Sequence, residues 1–348
     1  VAFAYMALLF AIAFYGDRNR DQLSPRLRPW VYSLSLAVWC TSWTFFGAVG
    51  QAAEQLWSFL PIYLGPILLM LLAPHVFQKM IMISKQENIT SIADFIAARY
   101  GKSQLLAIVV TLICLVGVLP YIALQLKGIV LGVNLLMGSS DVTETGTGTQ
   151  DTALIVSIGL ALCTILFGTR NLVLAIAFGS LIKLLAFVAV GIFVTFGLYN
   201  GFGDLFNQAH ASAELASFWE VTVNWPAMVV QTGVAMMAIV CLPRQFHVTV
   251  VENIEPKDFR MARWVFPLYL VLAVLFVIPI ALAGQMLLPE GISPDSFVIS
   301  LPLAESHPAL AMLAFIGGAS AATGMVIVAS VALSTMVSND MLLPWLLR

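Results

Sequence analysis

Lys183 is the residue of this 348-residue chain that most needs a chemical reason. It stands in FGSLIKLLAFVAV, residues 178–190, a run without one acidic residue. A charge near the middle of an apolar span costs about 3 kcal/mol on insertion scales. The segment starts at residue 171, twelve positions earlier. At about 1.5 Å per residue that is roughly 18 Å, a strained reach for a lysine stretching to water. An ammonium taken out of water gives up its proton more readily, so the chemistry open to such a residue is proton exchange near neutral pH. The alternative is a lysine that only snorkels or pairs with helix carbonyls. Lys127 follows Gln125 in YIALQLKG and lies closer to a segment end, so it snorkels more easily. Gln125 reads as a polar lining residue.

Other reactive side chains form no constellation. His75 and His307 sit near segment ends, His210 and His247 in loops, and none has metal-ligand spacing. Cys40, Cys114, Cys163 and Cys241 lie inside apolar segments without a CxxC pair, as small polarizable core residues do. No Ser/His/Asp set is visible. The sequence therefore offers no catalytic residue, no metal site and no cofactor. What it does offer is two polar or proline-marked interruptions, WCTSWTFFG at 39–47 and GVAMMAIVCLP at 233–243. Interrupted helices at corresponding places in two halves point to a transporter site, although Gly and Pro are also common in any membrane helix.

The elements that must position these residues are membrane helices. The chain is 60% hydrophobic and only 10% charged, against about 25% charged for a soluble domain. Several apolar runs exceed the roughly 20 residues needed to cross a bilayer, and the alternation of a β-barrel is missing. The expected class is an all-α polytopic membrane protein whose first partner is the lipid bilayer. Nine apolar segments are expected, at 1–16, 29–51, 56–78, 103–137, 152–168, 171–199, 225–243, 264–285 and 308–337. Of 16 basic residues, 14 fall in alternate connections: 17–28, 79–102, Arg170, 244–263 and Arg348. Lys and Arg mark the cytoplasmic side, so the start is expected outside and the end inside. Ser91-Ile-Ala-Asp94 reads as a capped start of a short helix ending at Gly101. Residues 200–224 are expected to include a short surface helix. A net charge of −2 without a basic arm argues against nucleic acid. The chain opens on Val1 inside an apolar run, which reads as a trimmed start.

Five stretches carry a resemblance: TSWTFFGAVGQAA at 41–53, ITSIADFIAARYGKS at 89–103, YIALQLKGIVLGVNLL at 121–136, LPRQFHVTVVEN at 242–253 and SAATGMVIVASVALSTMVSNDML at 320–342. They resemble the sodium/solute symporter family, and LPRQFHVTVVEN and TSWTFFGA more closely the membrane domain of CbrA-type sensor histidine kinases. The resemblance implies the LeuT-like inverted-repeat fold in one transmembrane domain, 1–348, of a bacterial inner membrane. In that fold 1–16 is a leading helix, 29–200 the first repeat, and 225–340 core helices six to eight of a second repeat. Core helices nine and ten and any cytoplasmic kinase domains would lie beyond the sequence.

Aligned on Asp340, the hydroxyl ligands of the family's second sodium site fall at Ala321, Gly324 and Met325, with Thr323 one residue away. Its carbonyl ligands in the broken first core helix fall at Ala37 and Cys40, and its acidic residue there falls at Trp39. An acidic residue frequent in core helix five falls near Gly179, one helical turn before Lys183. Some proton-coupled amino-acid transporters of this fold place a lysine ammonium where sodium would sit, and Lys183 is a candidate for that place. The ion partner is then H+ or Na+, with protons favoured.

The resemblance puts the substrate between core helices one, three, six and eight, near Trp43, Thr44, Tyr121, Gln125, Gln231, Met236, Met237 and Pro243. Backbone groups freed at a helix break suit a zwitterionic amino acid, and the CbrA likeness implies histidine. The expectation is a secondary-transporter domain linked to a two-component kinase. The competing expectation is a nutrient receptor of the same shape that no longer transports.

Overall fold

The structure is a computed structural model. It describes residues 2–18, 24, 26–137, 172–212, 215–219 and 223–346, with isolated positions 155, 158 and 159. The expected segment 152–168 therefore lies outside the described residues. Among those described there is no strand.

Helix α1 spans Ala2–Arg18. α2, Arg28–Ser35, tightens into a 3-10 turn at Leu36–Trp39. The helix then breaks, with Cys40 extended at φ −76°, ψ 104°. It resumes as a π-turn, Trp43–Gly47, and α3, Ala48–Gln55. α4, Pro61–Leu72, bends by 77° into α5, Pro74–Gln86. Pro74 supplies the bend, since proline starts a helix readily but cannot continue one. The sequence suggests one span at 56–78, but the helix runs on and carries Lys79 and Lys85, which are helical rather than loop residues. α6, Ile92–Arg99, starts where the Ser91 cap accepts from the Asp94 N–H at 3.0 Å and stops before Gly101 at φ +68°. α7, Gln104–Leu136, is a single 33-residue rod.

α8, Leu172–Ile192, extends through a π-turn at Phe193–Leu198, and the surface helix α9 is Phe202–Ala211. α10, Trp225–Cys241, bends by 55° at Leu242 into α11, Pro243–Phe246, which continues to Val251. This corrects the expected connecting loop at 244–263: residues 244–251 are helical and largely buried. α12, Phe259–Val274, and α13, Val277–Leu287, form one span. α14 is Phe297–Ala304, and α15, Pro308–Met336, continues to Leu342. Among the described residues four helices are long and apolar enough to cross a membrane, or six when each bent pair is one span. The protein is a multi-pass membrane protein.

Lipid tails give helices no hydrophobic reason to associate, so close packing must hold the bundle. Gly65 is one such contact: a Cβ there would lie 2.6 Å from the Ala235 Cβ, so α4 and α10 touch backbone to backbone. The small residues Gly317, Gly318, Ser320 and Ala321 let α15 pack closely against α8 and the broken first helix in the same way, while Ala322 meets Ile129 of α7. Arg28, Lys85, Thr90, residues 254–258 and Asn339 meet at one end of the bundle, the basic end. Glu54 and Asp295 lie towards the opposite end.

Candidate substrate cavity and cation site

The break at Cys40–Ser42 stays open because other helices satisfy its backbone. Gln125 of α7, fully buried, accepts from the Ser42 N–H at 3.0 Å and the Ser42 hydroxyl at 2.7 Å, and its amide donates to the Tyr121 carbonyl at 3.3 Å. The Tyr121 and Thr41 hydroxyls share a hydrogen bond of 3.0 Å. On the basic side of the break, Tyr32 donates to the Thr249 carbonyl at 2.6 Å and Gln245 to the Leu36 carbonyl at 3.2 Å. The two broken helices are thus joined on that side.

Lys183 completes this arrangement. Its Nζ donates to the Ala37 carbonyl at 2.6 Å and the Cys40 carbonyl at 2.7 Å, while 6% of the residue is exposed. The Lys183 amino group therefore rests on the two carbonyls named from sequence. Two small voids of about 20 Å³ adjoin Lys183. Thr323, Gly324, Ser320 and Gly179 line one, and Ala321 with Thr44 and Tyr269 line the other. Met325 lies in the apolar core instead. Tyr5 of α1 donates to Ser320 at 2.6 Å, and Ser320 donates to the Gly179 carbonyl at 3.0 Å, so the leading helix is tied to the turn before Lys183.

Across the break from Lys183 lies a cavity of about 930 Å³. The broken first helix lines it from Trp39 to Glu54, α10 and its bend from Val230 to Arg244, α7 through Val118, Tyr121 and Leu124, and the loop before α14 through Asp295. Of the residues expected there, Trp43, Thr44, Tyr121, Gln231 and Pro243 line the cavity. Three do not, and the expectation is corrected for them. Gln125 is occupied in holding the helix break. Met237 is 57% exposed on the outside of the bundle. Met236 packs against the core behind α4. The cavity face of α10 is Val230, Gln231, Val234, Ala235 and Ala238, the three-and-four spacing of one helix face. Lys127 is exposed, within the field of Asp295.

Arg244 is missed by sequence reasoning, which counts it as a loop cation. It is only 4% exposed, on the first turn after the bend, with its guanidinium 4.7 Å from the Tyr121 ring centre. The signal that points to it is the pair Pro243-Arg244 directly after an interrupted apolar helix. Trp39, which stands where the family pattern has a carboxylate, also faces the cavity.

No family model matches the chain. An uncharacterized symporter, YhjB, of Bacillus subtilis is 27% identical over 307 residues, covering 82% of this chain and 57% of that protein. The chain thus spans a little over half the length of that relative. The solved substrate-bound, outward-open structure of a Na+-coupled sialic acid symporter superposes with a TM-score of 0.72 at 16% identity, covering 98% of this chain and 74% of that one. The chain has the LeuT-like symporter fold. The sequence likeness is to a symporter, and the likeness to the solved structure is one of fold.

Proposed function

We propose that this chain is the membrane domain of a secondary transporter that moves an amino acid by alternating access, with the Lys183 ammonium in place of a bound sodium ion. The observation that carries the reading is the pair of bonds from Lys183 Nζ to the Ala37 and Cys40 carbonyls, 2.6 and 2.7 Å. Two carbonyl oxygens that converge on one point suit a cation, and a lysine ammonium satisfies them without any ion from solution. Loss of its proton removes the charge that binds α8 to the first broken helix. Proton transfer would thereby favour opening at the basic end, while a substrate favours whichever state its contacts fit better. The cavity of about 930 Å³ is roomy enough for an amino acid such as histidine.

The basic residues gathered at one end support a cytoplasmic placement of that end, with the amino terminus outside, the carboxyl terminus in the cytoplasm, and a bacterial inner membrane as host. A second reading is a receptor domain that binds the nutrient and passes the signal to kinase domains in the same protein. Ala321, Gly324 and Met325, apolar where the family pattern has hydroxyls, favour it. The pH dependence of uptake by Lys183→Ala tests the first reading. Proton-dependent uptake is expected to become pH-independent in the variant, and an unchanged pH profile would sink the coupling role.

A further inference from the structure

Four residues that line this one cavity each carry a buried polar atom with no hydrogen-bond partner in the protein: Trp39 Nε1, Arg244 Nε, Gln51 Oε1 and Ser58 Oγ. A buried donor or acceptor left unmade is costly, and native proteins keep such groups where something else satisfies them. The four are sorted by chemistry. At the level of the helix breaks stand two donors, the Trp39 indole N–H and the Arg244 guanidinium N–H, and neither residue exposes more than 6% of its surface. Neither atom can accept a hydrogen bond. Towards the mouth stand an acceptor, Gln51 Oε1, the Ser58 hydroxyl, which can donate or accept, and the carboxylates of Glu54 and Asp295. Asp295 lies against Gly50, where any Cβ would collide with its carboxylate. The cavity is therefore donor-lined and cationic at its floor, and acceptor-lined and anionic at its mouth.

We infer that Arg244, with Trp39, is the carboxylate anchor of the substrate, and that the ligand is a dipolar small molecule. Its carboxylate sits on these two N–H groups, and its N–H-bearing end points towards Gln51, Glu54 and Asp295. The inference rests on the cavity being the substrate site. It adds which end of the ligand goes down and which chemical class fits. The guanidinium of Arg244 lies over the Tyr121 ring, which supports the charge without using its hydrogen bonds and leaves them for a ligand. A sugar or an amine without a carboxylate leaves both floor donors unmade. A simple anion meets the two carboxylates at the mouth.

The test is thermal stabilisation of the purified full chain in detergent by matched probes: L-histidine, histamine, which lacks the carboxylate, and imidazolepropionate, which lacks the amine. L-Histidine is expected to stabilise and histamine not to. Arg244→Met is expected to weaken binding at least about 30-fold, the equivalent of losing about 2 kcal/mol from a buried charge pair, and Arg244→Lys less than that. The comparison of probes on the wild-type chain needs no variant, so a misfolded variant does not spoil it. Histamine binding as well as histidine, full affinity in a monodisperse Arg244→Met, or no stabilisation by any of the common amino acids or imidazolepropionate would overturn the inference. Arg244-dependent binding of imidazolepropionate alone would keep the carboxylate anchor and overturn both the dipolar ligand and the amino-acid reading.

Discussion

Removing the Lys183 side chain should turn a proton-occupied cation position into one that binds sodium. In Lys183→Ala the Ala37 carbonyl keeps the Cys40 N–H at 3.0 Å, but the Cys40 carbonyl loses its lysine partner. An unsatisfied buried carbonyl costs about 1–3 kcal/mol. Removing a buried charge returns several kcal/mol of desolvation, about the same size or more. The two effects oppose, so stability alone is a poor readout. The response to sodium is a sharp one. The voids beside Lys183, about 20 Å³ each, grow by the volume of the deleted side chain. They open onto both carbonyls and the stretch of α15 that carries Ala321 and Thr323. Sodium at ten times its dissociation constant would stabilise the variant by about 1.4 kcal/mol, a rise of roughly 2 °C in melting temperature. The assay is a melting curve in sodium chloride against choline chloride at equal ionic strength, for both proteins. The wild type is expected to show no difference and the variant to gain. An equal sodium-dependent rise in the wild type would refute the idea that the ammonium already fills the position.

Three further outcomes follow from contacts elsewhere. Arg28 binds Asp258 through two nitrogens, at 2.9 and 3.3 Å, and Glu255 at 2.7 Å, while Asp258 is 2% exposed. Arg28→Met strands that buried carboxylate and should cost about 3–5 kcal/mol, with most of it recovered in the double variant with Asp258→Asn. Both are read by melting, and no recovery would mean the pair does not matter. Gln125→Leu should weaken ligand binding without touching ligand, by freeing Ser42. Gln125→Glu, which keeps both acceptor bonds, should bind better than Gln125→Leu in the same assay. Asp295 is pushed above the ordinary carboxylate range, first by partial withdrawal from water and then by Glu54, with Lys127 opposing. A raised carboxyl weakens folding once pH exceeds its unfolded value of about 3.9. The penalty is complete above the folded value and absent in acid. Asp295→Asn should therefore melt higher than wild type near neutral pH and equally at about pH 3, and the reverse order would reject this sign.

The parts of this structure legible from sequence are those where chemistry is local. The Ser91 cap and Gly101 delimit α6 because a hydroxyl and a residue tolerant of positive φ act within one turn. Lys183 stands out because no solvent offsets the cost of a charge in an apolar run. The break at 39–47 is visible in its polar residues. The rest fails for identifiable reasons. A helix apolar all round, such as α10, gives no periodic sign of which face is inside, so Met237 and Gln231 look alike as cavity candidates. Pro243 reads as an end because proline stops helices, yet at a first turn it starts one. That error sends Arg244 into a loop. Gln125 is identifiable as buried and polar, but whether it serves ligand or backbone depends on which helix lies opposite, which one-dimensional spacing does not contain.

The most direct test of the proton-coupled mechanism is labelled-histidine uptake by the full-length protein in liposomes, under an inward proton gradient and, separately, an inward sodium gradient. Accumulation should be driven by protons and not by sodium alone, with the proton response lost in Lys183→Ala. Sodium-driven accumulation by the wild type at equal internal and external pH would contradict an ammonium standing in the cation position.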